Sequence, residues 1–310
     1  MTTNATRIGF VGLGHMGGAM AARFIAAGYT VYGASRSRDR AQALEDEGLR
    51  WRDTPREVAG VADVVFTSLP DDAALEQVAA GRDGLLAGLS APRIWVDMST
   101  VSPHCSRDLA QRVRAVGASM LDAPVSGSVP QVRSGTLTIM VGGDEDAFDL
   151  IQPLLRELGT PTRIGENGQG LLLKLAINIS LAVQMLAFSE GLLLAERGGV
   201  DRELAVKVMN ASAIGSPMLK LRAPLVLDLP DEAWFDVELM QKDIRLALAT
   251  GRSERVPLPS AAVADELLTR AKALGHGHHD IAALHQVLAQ TTAEETVADP
   301  CAASSGRVVA

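Results

Sequence analysis

The chain has 310 residues, 47% of them hydrophobic and 21% charged, which excludes a disordered polypeptide and gives length enough for two domains with a sizeable core. Its net charge of -8, with no cluster of basic residues, argues against a nucleic-acid-binding surface. Cys105 and Cys301 lie far apart without metal-ligand spacing, so two free thiols in a reducing, cytoplasmic setting are expected.

The first residues, MTTNATR, lead at once into the apolar run Arg7 to Val11, so no signal or transit peptide is predicted. Directly after that run come Gly12, Leu13, Gly14, His15, Met16 and Gly17, followed by the helical pattern GAMAARFIAAG. A G-x-G-x-x-G between a strand and a helix is the context that the dinucleotide fingerprint requires. Gly12 permits the tight turn, Gly14 lets the backbone approach a pyrophosphate, and Gly17 permits close packing, while the helix N-terminus faces the phosphate charge.

The second strand, Thr30 to Gly33, runs into Ser35, Arg36 and Ser37, where an NAD site usually carries an acid for the ribose hydroxyls. Arg36 and its two serines suit a 2′-phosphate instead, so NADP(H) is expected in preference to NAD(H). Helices follow around Arg40 to Gly48 and Pro55 to Ala59. The strand Asp63 to Leu69 then turns at Leu69-Pro70 into a helix. The strand Arg93 to Asp97 turns at Met98-Ser99-Thr100 into a helix from His104 to Val116. This alternation predicts a parallel sheet covered on both faces, with ligands at the strand carboxyl ends, where Leu69, Pro70 and Thr100 fall.

Ser119 to Val125 reads as one further strand, ending in a turn at Ser126, Gly127 and Ser128 whose N–H and hydroxyl donors suit a carboxylate. Gly135 to Gly143 reads as an outer strand, and Asp144 to Leu158 as the last helix of the first domain.

From Gly168 to Arg197 the sequence predicts one helix about 45 Å long. Between Leu171 and Phe188 its apolar residues occupy every side of the wheel, which predicts burial on most of the circumference. Lys174, Asn178 and Gln184 make a membrane span costly, so a core helix is expected. Lys174 and Asn178 stand one turn apart on one face. Lys174 is the first of only five lysines in an arginine-rich chain, and lysine, unlike arginine, can give up its proton in a poorly solvated site.

Beyond this helix the strand signal disappears. Helices are predicted over Asp201 to Ala211, Glu238 to Thr250, Ser260 to Ala273 and Asp280 to Gln290, with loops around 213–217 and 227–233. His276, His278 and His279 sit in one loop with few well-spaced ligands, which reads as a polar turn before a helix capped by Asp280 and not as a metal site. Residues after about Thr291 are small, polar and aperiodic, and a disordered tail is expected there. The fold class is therefore α/β: an N-terminal Rossmann doubly wound sheet over 1–167, then an all-α domain over 168–290, joined by the long helix.

Five stretches in order carry a resemblance: Gly12 to Gly17, Asp97-Met98-Ser99-Thr100, Asp122-Ala123-Pro124-Val125-Ser126-Gly127, Gly168-Gln169-Gly170 with Lys174 and Asn178, and Gln241-Lys242-Asp243. From Arg7 to Gln290 the chain resembles the β-hydroxyacid dehydrogenases, the group that includes 3-hydroxyisobutyrate dehydrogenase and tartronate semialdehyde reductase. The resemblance implies that Lys174 is catalytic and that Asn178 assists it. It implies further that Ser126 and Gly127 bind the substrate carboxylate, and that Lys242 lies by the cofactor and active site. It also implies a homodimer or homotetramer built through the helical domain. Two departures flank the implied substrate pocket: Ser128 replaces a common glycine and Ile177 a common asparagine.

The reaction so implied is hydride transfer between NADP(H) and a small carboxylate-bearing substrate, with Lys174 protonating the developing alkoxide and acting as base in reverse. Imine reductases share this architecture but usually carry aspartate or tyrosine in place of the lysine. A non-catalytic NADP(H)-binding sensor or scaffold is the other alternative, disfavoured by Ser126, Lys174 and Asn178.

Overall fold

A computed structural model describes residues 4–290, so the tail expected over 291–310 lies outside the described residues. The chain divides into two compact units, Met1–Ile177 and Asn178–Ala310.

The first unit opens with β1 (Asn4–Val11), α1 (His15–Ala26) and β2 (Tyr29–Ala34), then α2 (Gln42–Asp46), β3 (Arg50–Trp51) and α3 (Pro55–Val61). It continues through β4 (Val64–Thr67), α4 (Asp72–Ala79), β5 (Ile94–Asp97), α5 (Pro103–Ala115) and β6 (Ser119–Asp122). After these come β7 (Val125–Ser126), α6 (Val129–Ser134), β8 (Leu137–Gly143), α7 (Glu145–Leu158) and β9 (Gly159–Gly165). One nine-stranded sheet results, in the order β3-β2-β1-β4-β5-β6-β8-β7, with β9 paired to β8.

From β3 to β6 every pairing is parallel, and the order reverses direction between β2 and β4 on either side of β1. A crevice at such a switch point is where open α/β sheets bind ligands. The strands are continuous apolar runs because both faces are covered. Ile8, Phe10, Val64, Phe66, Ile94 and Val96 point into the core on the α1 side, while Val11, Val65 and Trp95 point into the opposite core. Phe66 packs on Phe24 at 5.0 Å and Phe10 at 6.0 Å between ring centroids.

The structure corrects the sequence reading at several points. The sheet is mixed, because β8 pairs antiparallel with β6 and β7. The single strand expected over 119–125 is broken at Ala123-Pro124, where Ala123 still donates to the Asp97 carbonyl at 2.7 Å while the Pro124 carbonyl accepts from Met140 at 3.0 Å. The two pieces still hold one antiparallel register against β8, with Leu121 opposite Gly143, Asp122 opposite Gly142, Val125 opposite Ile139 and Ser126 opposite Thr138, so the break interrupts the ladder without changing its partner. Gly135 to Gly143 is not an outer strand, since β8 pairs antiparallel with β6 and β7 and also pairs in parallel with β9. The helix expected over 40–48 is a 3-10 turn, Asp39–Ala41, followed by the short α2.

The long helix α8 (Gln169–Arg197) forms as expected. Its burial, however, follows one face. Leu171, Lys174, Leu175, Asn178, Ala182 and Met185 are buried, whereas Leu173, Ala176, Ser180, Gln184 and Ala187 are exposed. The even apolar wheel had concealed this division, because exposed leucine and alanine carry no polar signal.

The second unit continues with α9 (Arg202–Ala211), α10 (Pro217–Leu227), α11 (Val237–Ser253) and α12 (Pro259–Ala273), then a 3-10 turn Ile281–Ala283 and helical backbone over 284–290. Met185, Phe188, Leu219, Met240, Ile244 and Leu268 form its core. Asp280 is fully buried and accepts both Nη1 contacts of Arg222 at 2.8 Å. It also accepts the N–H groups of Trp234, Phe235 and Ala282. Its predicted role as a helix cap is therefore real but is the smaller part of what it does.

Candidate active site

The glycine turn after β1 is shaped as its sequence requires. Gly12 has φ of +94°, and a side chain there would collide with the Ser68 carbonyl; one at Gly17 would collide with the Gly12 carbonyl. At Gly14 an added Cβ would meet nothing within 4 Å. That open space lies at the N-terminus of α1, whose N-cap residue is Gly14 itself, so no capping side chain competes for the first-turn N–H groups. The cradle fits a dinucleotide pyrophosphate.

Past β2, Arg38 is committed to Glu45 through two contacts of 3.0 and 2.8 Å and lies over the Trp51 ring. Arg36 is exposed and, among the described residues, takes part in no hydrogen bond or ion pair, with Ser35 and Ser37 on either side.

The ends of β4 and β5 are tied together by a buried polar network that sequence reading did not anticipate. Asp97 is fully buried, and its Oδ1 accepts from Thr67 Oγ1 at 2.6 Å, Ser99 Oγ at 2.6 Å and Ser99 N at 3.3 Å. Trp95 Nε1 donates to Thr67, and Leu69 N donates to Ser99 Oγ at 2.9 Å. Oδ2 of Asp97 has no partner. Burial pushes the Asp97 carboxyl up to about 6, against the opposing effect of its donors. Leu69, Pro70 and Thr100 stand on the two loops that this network joins.

Ser126 is the last residue of β7, paired with Thr138. Gly127 has φ of +130°, and a side chain there would press on Leu137. Ser128 is the N-cap of α6, a helix the sequence reading missed, and its N–H donates to Gln131 Oε1 at 2.8 Å.

Lys174 is 8% exposed and sits in the second turn of α8, within the first unit. In the second unit Asn178, 1% exposed, donates through Nδ2 to Asp243 Oδ2 at 2.5 Å, and Lys242 Nζ lies 2.8 Å from Asp243 Oδ1. Asp243 thus joins two of the expected site residues. Only its place beside Lys242 in Gln241-Lys242-Asp243 had drawn notice to it. His276 and His279 face one another at 2.9 Å, and among the described residues no group of three His, Cys, Asp or Glu side chains is arranged to hold a metal.

Residues 7–168 match the family described as the NAD binding domain of 6-phosphogluconate dehydrogenase, and residues 168–288 the family described as NAD-binding of NADP-dependent 3-hydroxyisobutyrate dehydrogenase. The chain is 33% identical over 302 residues to glyoxylate/succinic semialdehyde reductase 2, chloroplastic, of Arabidopsis thaliana, covering 95% of this chain and 84% of that protein. It is 34% identical over 283 residues to 2-hydroxy-3-oxopropionate reductase of Escherichia coli (strain K12), covering 91% of this chain and 97% of that protein. The structure of Mycobacterium tuberculosis 3-hydroxyisobutyrate dehydrogenase with L-serine superposes with a TM-score of 0.81 at 28% identity, over 91% of this chain and 99% of that one. A glycine cradle fit for a dinucleotide, a buried lysine on the long helix and these matches together place the chain in the 3-hydroxyisobutyrate dehydrogenase family of NAD(P)-binding oxidoreductases.

Proposed function

We propose that the protein interconverts a small 3-hydroxy acid and its semialdehyde or ketone, with NADP(H) preferred over NAD(H) and Lys174 as general acid and base. The observation that carries this reading is Lys174 itself, an almost fully buried lysine on a helix that begins at the strand ends of the nucleotide-binding unit. A merely snorkelling lysine would expose its ammonium group.

Gly12, Leu13, Gly14, His15, Met16 and Gly17 would hold the pyrophosphate; Leu69, Pro70 and Thr100 would line the nicotinamide half. The bound nicotinamide supplies or accepts the hydride. Ser126 and the Gly127 N–H anchor the carboxylate, with Ser128 beside them. Lys174 gives its proton to the carbonyl oxygen as it becomes an alkoxide, and in oxidation takes the proton from the hydroxyl. Asn178, one turn on and braced by Asp243, assists, and Lys242 would be a cofactor contact, as the family resemblance implies. Arg36, unpaired where Arg38 is not, supports the 2′-phosphate reading. The semialdehyde reductases and hydroxy-acid dehydrogenase among its relatives support the substrate class.

We further place the protein in the cytoplasm, acting on a small carboxylate and not on nucleic acid or a membrane. The assembly would be a homodimer or homotetramer built through the helical unit, supported by the exposed Leu194, Leu204 and Val208.

The test is a panel of small semialdehydes and 3-hydroxy acids assayed with both cofactors, on wild type and Lys174→Arg. The variant keeps the positive charge but holds its proton at any working pH. Oxidation should fall by about 10²-fold or more while NADP(H) affinity stays near wild type. A folded Lys174→Arg enzyme that oxidises at the wild-type rate would overturn the mechanism.

A further inference from the structure

Helices in this protein usually start on a residue of their own. Thr54 caps α3, Asp71 α4, Ser102 α5, Asp144 α7, Asp201 α9, Ser216 α10 and Asp236 α11, each accepting from an N–H three residues on. The long helix is different, because the residue before it is Gly168, with φ of +87° and no side chain to offer. Its first N–H groups are met instead by Asp122, at the end of β6. Oδ1 accepts from Gly168 N at 2.7 Å and Oδ2 from Leu171 N at 3.1 Å, with Ser106 Oγ of α5 at 3.4 Å from Oδ1.

Two glycines clear the space for this contact. A Cβ on Gly142 would stand 2.7 Å from both Asp122 oxygens, and one on Gly170 would stand 2.9 Å from Oδ2 and 2.5 Å from the Met140 carbonyl. Neighbouring Asn167 adds a contact from Nδ2 to the Met120 carbonyl at 2.8 Å. The first turn of α8 is thus laid backbone-first on the ends of β6 and β8. Burial raises the Asp122 carboxyl above its usual range, and the Gly168 and Leu171 N–H groups oppose that rise.

Lys174 follows Leu171 by three residues on the same helix, and Ser126-Gly127 follows Asp122 on the same edge of the sheet. A slip of one residue at the start of a helix moves everything beyond it by about 1.5 Å and turns it by about 100°. We infer that Asp122 is a positioning residue: by fixing the axial and rotational place of α8 on the sheet, it sets where the Lys174 ammonium stands relative to the Ser126-Gly127 anion cradle. The inference rests on the reading of Lys174 as acid and base.

The test is a double-mutant cycle on the full chain, using Asp122→Asn, Lys174→Arg and the pair, with kcat, KM and the Kd for NADP(H) measured for each. Asp122→Asn keeps the shape but leaves one of the two N–H groups without an acceptor. It should lower kcat by about tenfold or more, with KM and NADP(H) affinity within about twofold, since displacement of a reacting group by about 1 Å costs on that order. In the Lys174→Arg background the same change should cost less than about twofold, because residues that act through one another are not additive. Asp122→Ser, which retains one acceptor, replaces the asparagine variant should that one fail to fold. Additive losses, an unchanged kcat, or an equal loss of cofactor affinity would overturn the inference and leave Lys174 standing. An innocuous Lys174→Arg would instead overturn the reading on which it rests.

Discussion

Replacing Asp97 by asparagine isolates the cost of keeping one carboxylate wholly out of water. All three donors to Asp97, from Thr67 and Ser99, converge on Oδ1, and Oδ2 has none. An asparagine Oδ1 can accept the same three bonds, so Ser99 and the Leu69 N–H that it holds keep their places. What changes is titration. Burial lifts the folded-state value from the ordinary 3.8 to about 6, with Asp122, the register partner on β6, adding to the rise. The folded protein therefore binds this proton more tightly than the unfolded chain does. Its stabilising contribution is complete below about pH 3.8 and is lost as pH climbs toward about 6. The difference of about two units corresponds to roughly 3 kcal/mol, of which about 2 to 3 kcal/mol falls between pH 4 and pH 7. Other carboxylates titrate in the same window, so the informative quantity is the difference between wild type and Asp97→Asn in urea unfolding at a series of pH values. That difference should move in favour of the variant by the stated amount on going from pH 4 to pH 7. Parallel stability curves for the two proteins would show that Asp97 is ionised in the fold at its ordinary pKa, and the argument from burial would fail.

Loss of the Arg36 guanidinium in Arg36→Ala should weaken NADP(H) binding by about 1.5–3 kcal/mol while leaving NAD(H) near wild type, and an unchanged ratio of the two affinities by titration would exclude Arg36 from the 2′-phosphate site. Ser126→Ala should raise KM for the carboxylate substrate at least as visibly as it lowers kcat; a constant KM across all active substrates would mean that the anion is held elsewhere. Asp280→Ala strands the buried Arg222 guanidinium, 7% exposed, together with the Trp234, Phe235 and Ala282 N–H groups. It should cost about 3–5 kcal/mol in denaturant unfolding, and a loss under about 1 kcal/mol would show that Arg222 finds water or another acceptor.

Where an element's chemistry is local, the sequence displayed it. The turn from Gly12 to Gly17 shows its glycines in one short motif, and the structure gives Gly12 a positive φ and sets Gly17 against the Gly12 carbonyl, although the carbonyl that crowds Gly12 belongs to distant Ser68. The strands β1, β4 and β5 are continuous apolar runs because helices cover both faces, and their ends were close to where the runs stop. What escaped was set by distant partners. Two residues, Arg50 and Trp51, make β3 only because Tyr32 and Gly33 pair with them. The strand β9, with threonines, a proline and an arginine in seven residues, exists because β8 offers an edge. The segment around Pro124 reads as one strand, and its two pieces do share one register; what the sequence hid is that their partner β8 runs antiparallel to them. Such pairings exist only after the chain has folded, so no window of the sequence contains them.

The acids make the same argument about the site. Asp97, Asp122, Asp243 and Asp280 are each buried to 2% exposure or less, although single acids in a sequence are read by default as solvated. A buried carboxylate is costly unless donors reach it, and here the donors come mostly from far along the chain: Thr67 to Asp97, Gly168 to Asp122, Asn178 to Asp243 and Arg222 to Asp280. The signal available beforehand was position. Asp97 and Asp122 each close an apolar strand with no polar residue between them and the buried run, at the sheet edge where ligands gather. An acid there cannot escape to solvent, so it must organise the loops or helix ends around it. At this sheet edge that work consists of holding the Leu69 and Ser99 loops with one carboxylate and the start of the Lys174 helix with the next.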